Sequence, residues 1–145
     1  MKKMVPKQLG ELLIESGVIT PGQLKEALDL QKEKEELLGQ ILIGLGYATE
    51  QAIAQALTVQ YGFPYLPLAD YDIERDIART VPEHIARQYG LIAVDRLGKI
   101  LTVAMSNPLN AQAIQEVEKI TRLNVQVFVT TQSDINDAIK RCYKD

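Results

Sequence analysis

The sequence predicts an α+β fold: tandem helix-turn-helix repeats giving four helices, followed by a small α-β-β-α-β-α unit. Three observations carry that prediction. The first half of the chain repeats itself, the helical period stops at Tyr61-Gly62-Phe63-Pro64-Tyr65, and short β-branched runs separated by turn signals follow. The expected division is residues 1–62 for the repeats and 63–145 for the α+β unit.

The repeat pairs Gln8–Gln31 with Leu37–Gln60, so that Leu9 corresponds to Leu38 and Gln31 to Gln60. Nine positions are identical, among them Gly10/Gly39, Leu13/Leu42, Gly17/Gly46, Thr20/Thr49 and Ala27/Ala56, where average composition gives about one or two by accident. Each copy reads as a short helix, a turn and a longer helix. Leu9, Leu12 and Leu13 recur at helical spacing, and Gly17 stands where a left-handed residue ends a helix. Thr20 then offers an N-cap hydroxyl, Pro21 suits the first helical place, and Gln23 completes a capping box. Leu24, Ala27, Leu28 and Gln31 form one face of the second helix, mirrored by Ile53, Ala56, Leu57 and Gln60. Lys32–Glu36, of mixed sign, reads as a solvated helix end or linker.

Two features recur without a helical reason. A glycine inside a helix costs about 1 kcal/mol relative to alanine, so Gly10 and Gly39 imply close approach by another backbone or by a ligand. Gln31 and Gln60 close otherwise apolar stripes, and an amide there needs partners, a loop carbonyl being the simplest.

Beyond the repeats, Pro64 and Pro67 mark an extended connector through Leu66–Asp72. A helix is expected over Pro82–Tyr89, then strands Leu91–Asp95 and Ile100–Met105 around a Leu97-Gly98-Lys99 turn. Asn107-Pro108 reads as the cap and first residue of a helix reaching Thr121. Val125–Val129 reads as a strand, and Ser133 as the cap of a last helix ending near Tyr143.

Composition narrows the function. The chain is 46% hydrophobic and 24% charged, ordinary for a globular protein, and its formal net charge of −3 speaks against a nucleic-acid partner. The single cysteine, Cys142, forms no intrachain disulfide and fits a reducing compartment. No apolar run approaches the roughly 20 residues of a membrane span, so the expected location is cytoplasmic, without direct membrane insertion. The phosphate-loop pattern is absent: Gly39 and Gly44 have its glycine spacing, but Leu45 follows. His84 has only Glu83 beside it, and Asp70, Asp72, Glu74 and Asp76 lack the glycine turn of a calcium loop, so no metal site is expected. Ser106-Asn107 has no histidine base nearby in sequence. Neither catalytic residues nor a cofactor are expected, and the chain is read as a non-enzyme.

The doubled pattern Leu-Gly-x-x-Leu-Ile-x-x-Gly followed by Leu/Ile-x-x-Ala-Leu-x-x-Gln resembles the MshE-type N-terminal domain of type II secretion and type IV pilus assembly ATPases. Val81-Pro82-Glu83-His84-Ile85-Ala86-Arg87 and Leu101–Leu109 resemble the rest of that domain. The resemblance implies a non-catalytic regulatory or adaptor domain. Its expected partner is a secretion or pilus protein at the inner-membrane face, or an attached or separate ATPase motor. The alternative it implies is a cyclic di-GMP receptor, with the two halves of the dinucleotide taken by the two repeats. Carried over by position, the ligand residues would be Lys7, Gln8, Leu9, Gly10, Leu13 and Gln31 for one half, and Leu37, Leu38, Gly39, Leu42 and Gln60 for the other. The family's arginine before Leu-Gly is replaced here by Gln8 and Leu37, and neither supplies its planar, charged fork.

Overall fold

A computed structural model describes residues 9–34 and 36–144, without the side chains of Gln60 and Tyr61. The helical part holds α1 (Leu9–Glu15), α2 (Pro21–Glu33), α3 (Leu38–Gly44) and α4 (Glu50–Tyr61). The local signals act as their chemistry dictates. Gly17 and Gly46 end the short helices at φ 76° and 79°, a region closed to most side chains. The Thr20 hydroxyl accepts from the Gln23 amide while the Gln23 side chain accepts from the Thr20 amide, so the capping box is closed. Thr49 caps α4 by accepting from the Ala52 amide.

A 3₁₀ turn (Leu68–Asp70) follows, where an extended connector through Asp72 was expected, and then α5 (Arg75–Ala78). Leu68 explains the difference: its side chain is fully buried, and tightening the chain around it brings it into the core. Then come α6 (Glu83–Tyr89), β1 (Leu91–Leu97), β2 (Ile100–Met105), α7 (Ala111–Thr121), β3 (Asn124–Val129) and α8 (Gln132–Cys142). The sheet order is β1-β2-β3, with β1 antiparallel and β3 parallel to β2. Gly98, at φ 61°, takes the first central place of the two-residue β1–β2 turn.

Two helix starts differ from their sequence signals. Asn107 does not cap α7: its Oδ1 accepts from the Leu109 amide and its carbonyl from the Asn110 amide, which closes a turn. The cap is Asn110, accepting from Ala113. Likewise Thr131, not Ser133, caps α8 by accepting from the Asp134 amide.

Burial falls into two clusters. Leu12, Leu13, Leu42 and Leu57 centre the helical one, and Leu91, Ile92, Leu101, Met105, Ile135 and Ile139 the α/β one. They meet at β3, where fully buried Val129 packs into the helical cluster. The connector reinforces this junction, with Leu66 N–H donating to the Val129 carbonyl and Val129 N–H to that of Pro64. At the far end of α8, the Tyr143 hydroxyl lies 2.7 Å and 2.6 Å from the Ala78 and Val81 carbonyls. Burial lifts that phenol well above the ordinary tyrosine range.

Candidate functional site

The two parts enclose a crevice of ≈140 Å³. Its helical wall is Leu9, Gln31, Leu37, Leu38, Gly39, Gln40, Ile43, Glu50, Ile53 and Ala54; its α/β wall is Tyr89, Ser106, Asn107, Asn110, Thr130, Thr131 and Gln132. The walls are joined at Glu50, whose Oε1 accepts from both the amide and the hydroxyl of Ser133 at 2.8 Å. That placement also sets a carboxylate against the N-terminus of α8, where negative charge is favoured.

Several groups on the α/β wall are already committed. Ser106 Oγ donates to Gln132 Oε1 at 2.8 Å, and Gln132 Nε2 donates to Asn136 at 2.9 Å. Tyr89 donates to Glu116, and this hydrogen bond, then burial, raises its phenol above the ordinary value. Other groups remain open. Asn107 and Asn110 spend their Oδ1 atoms on backbone amides, which leaves each amide nitrogen as a donor. Thr130 is 1% exposed, and its hydroxyl has no hydrogen-bond partner among the described residues.

Of the residues proposed from sequence, Leu9, Gln31, Leu37, Leu38 and Gly39 line the crevice. Leu13 and Leu42 lie in the helical core, fully buried. Gly10 is covered by α2, since a Cβ there would lie 2.6 Å from Leu24 Cδ1; at Gly39 one would meet Ile53 and Leu9 only at 3.6 and 3.8 Å. The repeated glycine therefore sits in two environments, crowded by Leu24 in the first copy and in ordinary van der Waals contact with Ile53 and Leu9 in the second. Gln31 donates to the Glu36 carbonyl at 3.1 Å, so it ties off the inter-repeat linker while its Oε1 stays free to accept. Lys7 and Gln8 lie outside the described residues, as does the side chain of Gln60.

The contributors from the α/β part were not foreseen. Asn107 and Asn110 had a signal, because asparagines that cap with their oxygens present their nitrogens outward. Thr130 had none; strand and helix packing alone bring it to the crevice. A neighbouring hollow carries Arg87 together with Glu36, Leu37 and Gln40, but Arg87 is paired at 2.7 Å with Glu83.

The repeats also use their surfaces differently. Ile43, Glu50, Ile53 and Ala54 of the second copy face the crevice. The matching residues of the first, Ile14, Pro21, Leu24 and Lys25, line an open apolar groove of ≈540 Å³ with Leu28. Leu28 is 41% exposed, whereas its counterpart Leu57 is fully buried.

The sequence profile of the MshEN domain family matches residues 61–145, more than half of the chain. The chain belongs to the MshEN domain family. Curated relatives are type IV pilus assembly ATPases named PilB. The Myxococcus xanthus protein is 33% identical over 95% of this chain and the Thermus thermophilus protein 30% over 96%. The chain spans 24% and 16% of their lengths. A solved structure of MshE with cdg (cyclic di-GMP) is 29% identical with a TM-score of 0.68, covering 94% of this chain and 99% of that one. The N-terminal domain of XpsE, 22% identical over 97% of this chain and 98% of its own, has the same fold with a TM-score of 0.74. No described helix is long and apolar enough to cross a membrane.

Proposed function

We propose that this chain is a non-catalytic regulatory and adaptor module of a type II secretion or type IV pilus ATPase system, working at the cytoplasmic face of the inner membrane. Residues 1–62 would form its docking part and 63–145 the platform that carries it. The observation behind this reading is the inequality of the two repeats. One face, written twice in the sequence, is closed by the α/β wall in the second copy and bare in the first, where Ile14, Leu24 and Leu28 offer an apolar groove. Apolar grooves rimmed by polar residues are where protein partners dock. The occupant would be a segment of an inner-membrane assembly protein, or of the ATPase motor itself.

The test is titration with isolated cytoplasmic segments of the pilus or secretion inner-membrane proteins, followed by fluorescence anisotropy. Leu28→Asp places a charge in the centre of the groove, and losing a central contact of this kind costs about 2 kcal/mol or more, roughly thirtyfold in affinity. Unchanged affinity in Leu28→Asp would remove the groove from the interface.

A second reading, cyclic di-GMP binding, has its own support in the crevice. Asn107 and Asn110 offer donors, Gln31 Oε1 an acceptor, and Gly39 lines the same crevice. That set complements guanine, whose Hoogsteen edge carries the O6 and N7 acceptors and whose opposite side carries the N2 donor. The MshE structure with cdg adds weight. Two facts place this reading second. The crevice is ≈140 Å³ against the roughly 300 Å³ at which small-molecule pockets begin, so the walls must part. The nearby guanidinium, Arg87, is paired with Glu83, and Leu37 stands where the motif has arginine. Calorimetric titration of cyclic di-GMP tests it, with Gln31→Ala and the restoring pair Gln8→Arg and Leu37→Arg. Micromolar binding weakened by Gln31→Ala would promote this reading. Binding that appears only in the restored variant would show that the native chain has given the ligand up.

A further inference from the structure

At the end of the α/β part away from the crevice, three aliphatic side chains stand in solvent: Leu97 at 79% exposure, Ile100 at 44% and Ile120 at 44%. Leu97 and Ile100 flank the two-residue β1–β2 turn, and Ile120 lies in the last turn of α7. The fold sets all three at the same end of the sheet, because Asn124 N–H, just after α7, donates to the Lys99 carbonyl at 2.8 Å and Ile100 is in register with Asn124. A β-turn needs polar residues at its tip for solvation, so an exposed leucine and isoleucine framing Gly98-Lys99 are not explained by the turn itself.

Cations outnumber acids at this end. Arg96, Lys99, Lys119 and Arg122 are all exposed. Arg96 Nε donates to the Gly98 carbonyl at 3.1 Å, which holds its guanidinium against the turn. Two acids lie close by, and both are engaged by the backbone. Asp95 accepts from the Arg96 amide, and Glu118 turns in to accept from the Val125 amide at 3.0 Å. On a chain of net charge −3, a tip with four cations against two acids, beside three exposed aliphatic side chains, is a local reversal.

We propose that this tip is a peripheral contact for an anionic lipid surface. Basic side chains are drawn to the negative potential of a bilayer, while short aliphatic groups between them enter the interfacial layer. The surface is small and no helix is embedded, so the contact is weak, reversible and salt-dependent. It lies on the opposite part of the fold from the apolar groove of the first repeat, so a lipid and a protein partner can be held at once.

The test is co-sedimentation of the full 145-residue chain with vesicles of phosphatidylcholine alone or mixed with phosphatidylglycerol. Binding is expected only with the anionic lipid and is expected to fall as salt is raised. Each basic side chain near the surface contributes about fivefold, so Lys99→Glu with Arg122→Glu should weaken binding by more than tenfold. Leu97→Ser should weaken it several-fold without altering the salt dependence. All three positions are exposed, and circular dichroism checks that each variant is folded. Leu28→Asp should sediment like the native chain. Equal binding to both vesicle types, or loss caused by Leu28→Asp instead of the tip variants, overturns the proposal. Absence of vesicle binding overturns it too and leaves the tip to an acidic protein segment.

Discussion

Gly90 offers a quantitative check on how tightly the two parts are fitted. It ends α6 in the left-handed region at φ 66°, and the Ser106 amide donates to its carbonyl at 3.1 Å. A Cβ at this place would collide with Gln132 Oε1, reach 2.8 Å from Leu37 Cδ1 and 3.0 Å from Ser106 Oγ. Gly17 is the natural control, at φ 76° with nothing within 4 Å of where its Cβ would lie. Alanine at either position incurs the left-handed penalty of roughly 1–2 kcal/mol. Only at Gly90 does it also crowd a packed site, which adds about 1–3 kcal/mol and disturbs the Ser106–Gln132 hydrogen bond. Gly90→Ala should therefore unfold in urea about 1–3 kcal/mol more easily than Gly17→Ala. In thermal melts the gap should be about 2–12 °C, at about 2–4 °C per kcal/mol for a chain of this size. Equal losses in the two variants would refute the close fit of α3, α8 and the β2 end around Gly90.

Three further outcomes follow from single groups. Glu50→Ala removes the acceptor of two Ser133 hydrogen bonds and should cost about 1–2 kcal/mol, with faster hydrogen exchange at the start of α8. Thr130→Val replaces a buried hydroxyl that lacks a partner and should raise stability by about 1 kcal/mol in urea unfolding. The Tyr143 phenol is protonated more tenaciously in the folded chain than in the unfolded one. Its contribution is complete below the ordinary tyrosine value near pH 10 and is lost as pH rises toward the higher folded value. Tyr143→Phe should thus lower stability at neutral pH and flatten its fall above about pH 10, read from urea unfolding across the alkaline range.

Much of the helical part was legible because its determinants are local. Gly17, Gly46 and the Thr20–Gln23 box depend on neighbours within one turn, and the structure uses them as the sequence suggests. The strand Ile100–Met105 was equally plain, being a β-branched run after a glycine turn. Signals failed where two residues compete for one job. Asn107 and Asn110 are both good caps, and only the turn closed by Asn107 assigns the helix to Asn110. Ser133 lost its cap to Thr131 because Glu50, 83 residues earlier in the chain, claims its amide and hydroxyl. The site was legible in part. Leu38, Gly39 and Gln31 reach the crevice, but identical spelling in the first copy hides Gly10 beneath Leu24. A repeat in sequence is not a repeat in environment, and the α/β wall that makes the difference is a product of long-range packing.

The central claim is that the first repeat presents the face used for docking. Methyl-resolved NMR of the chain, titrated with the cytoplasmic segment of an inner-membrane pilus or secretion protein, tests it most directly. Shifts should concentrate at Ile14, Leu24 and Leu28, with Leu38, Ile43 and Ile53 little changed. Shifts confined to the crevice methyls, with the groove silent, would contradict it.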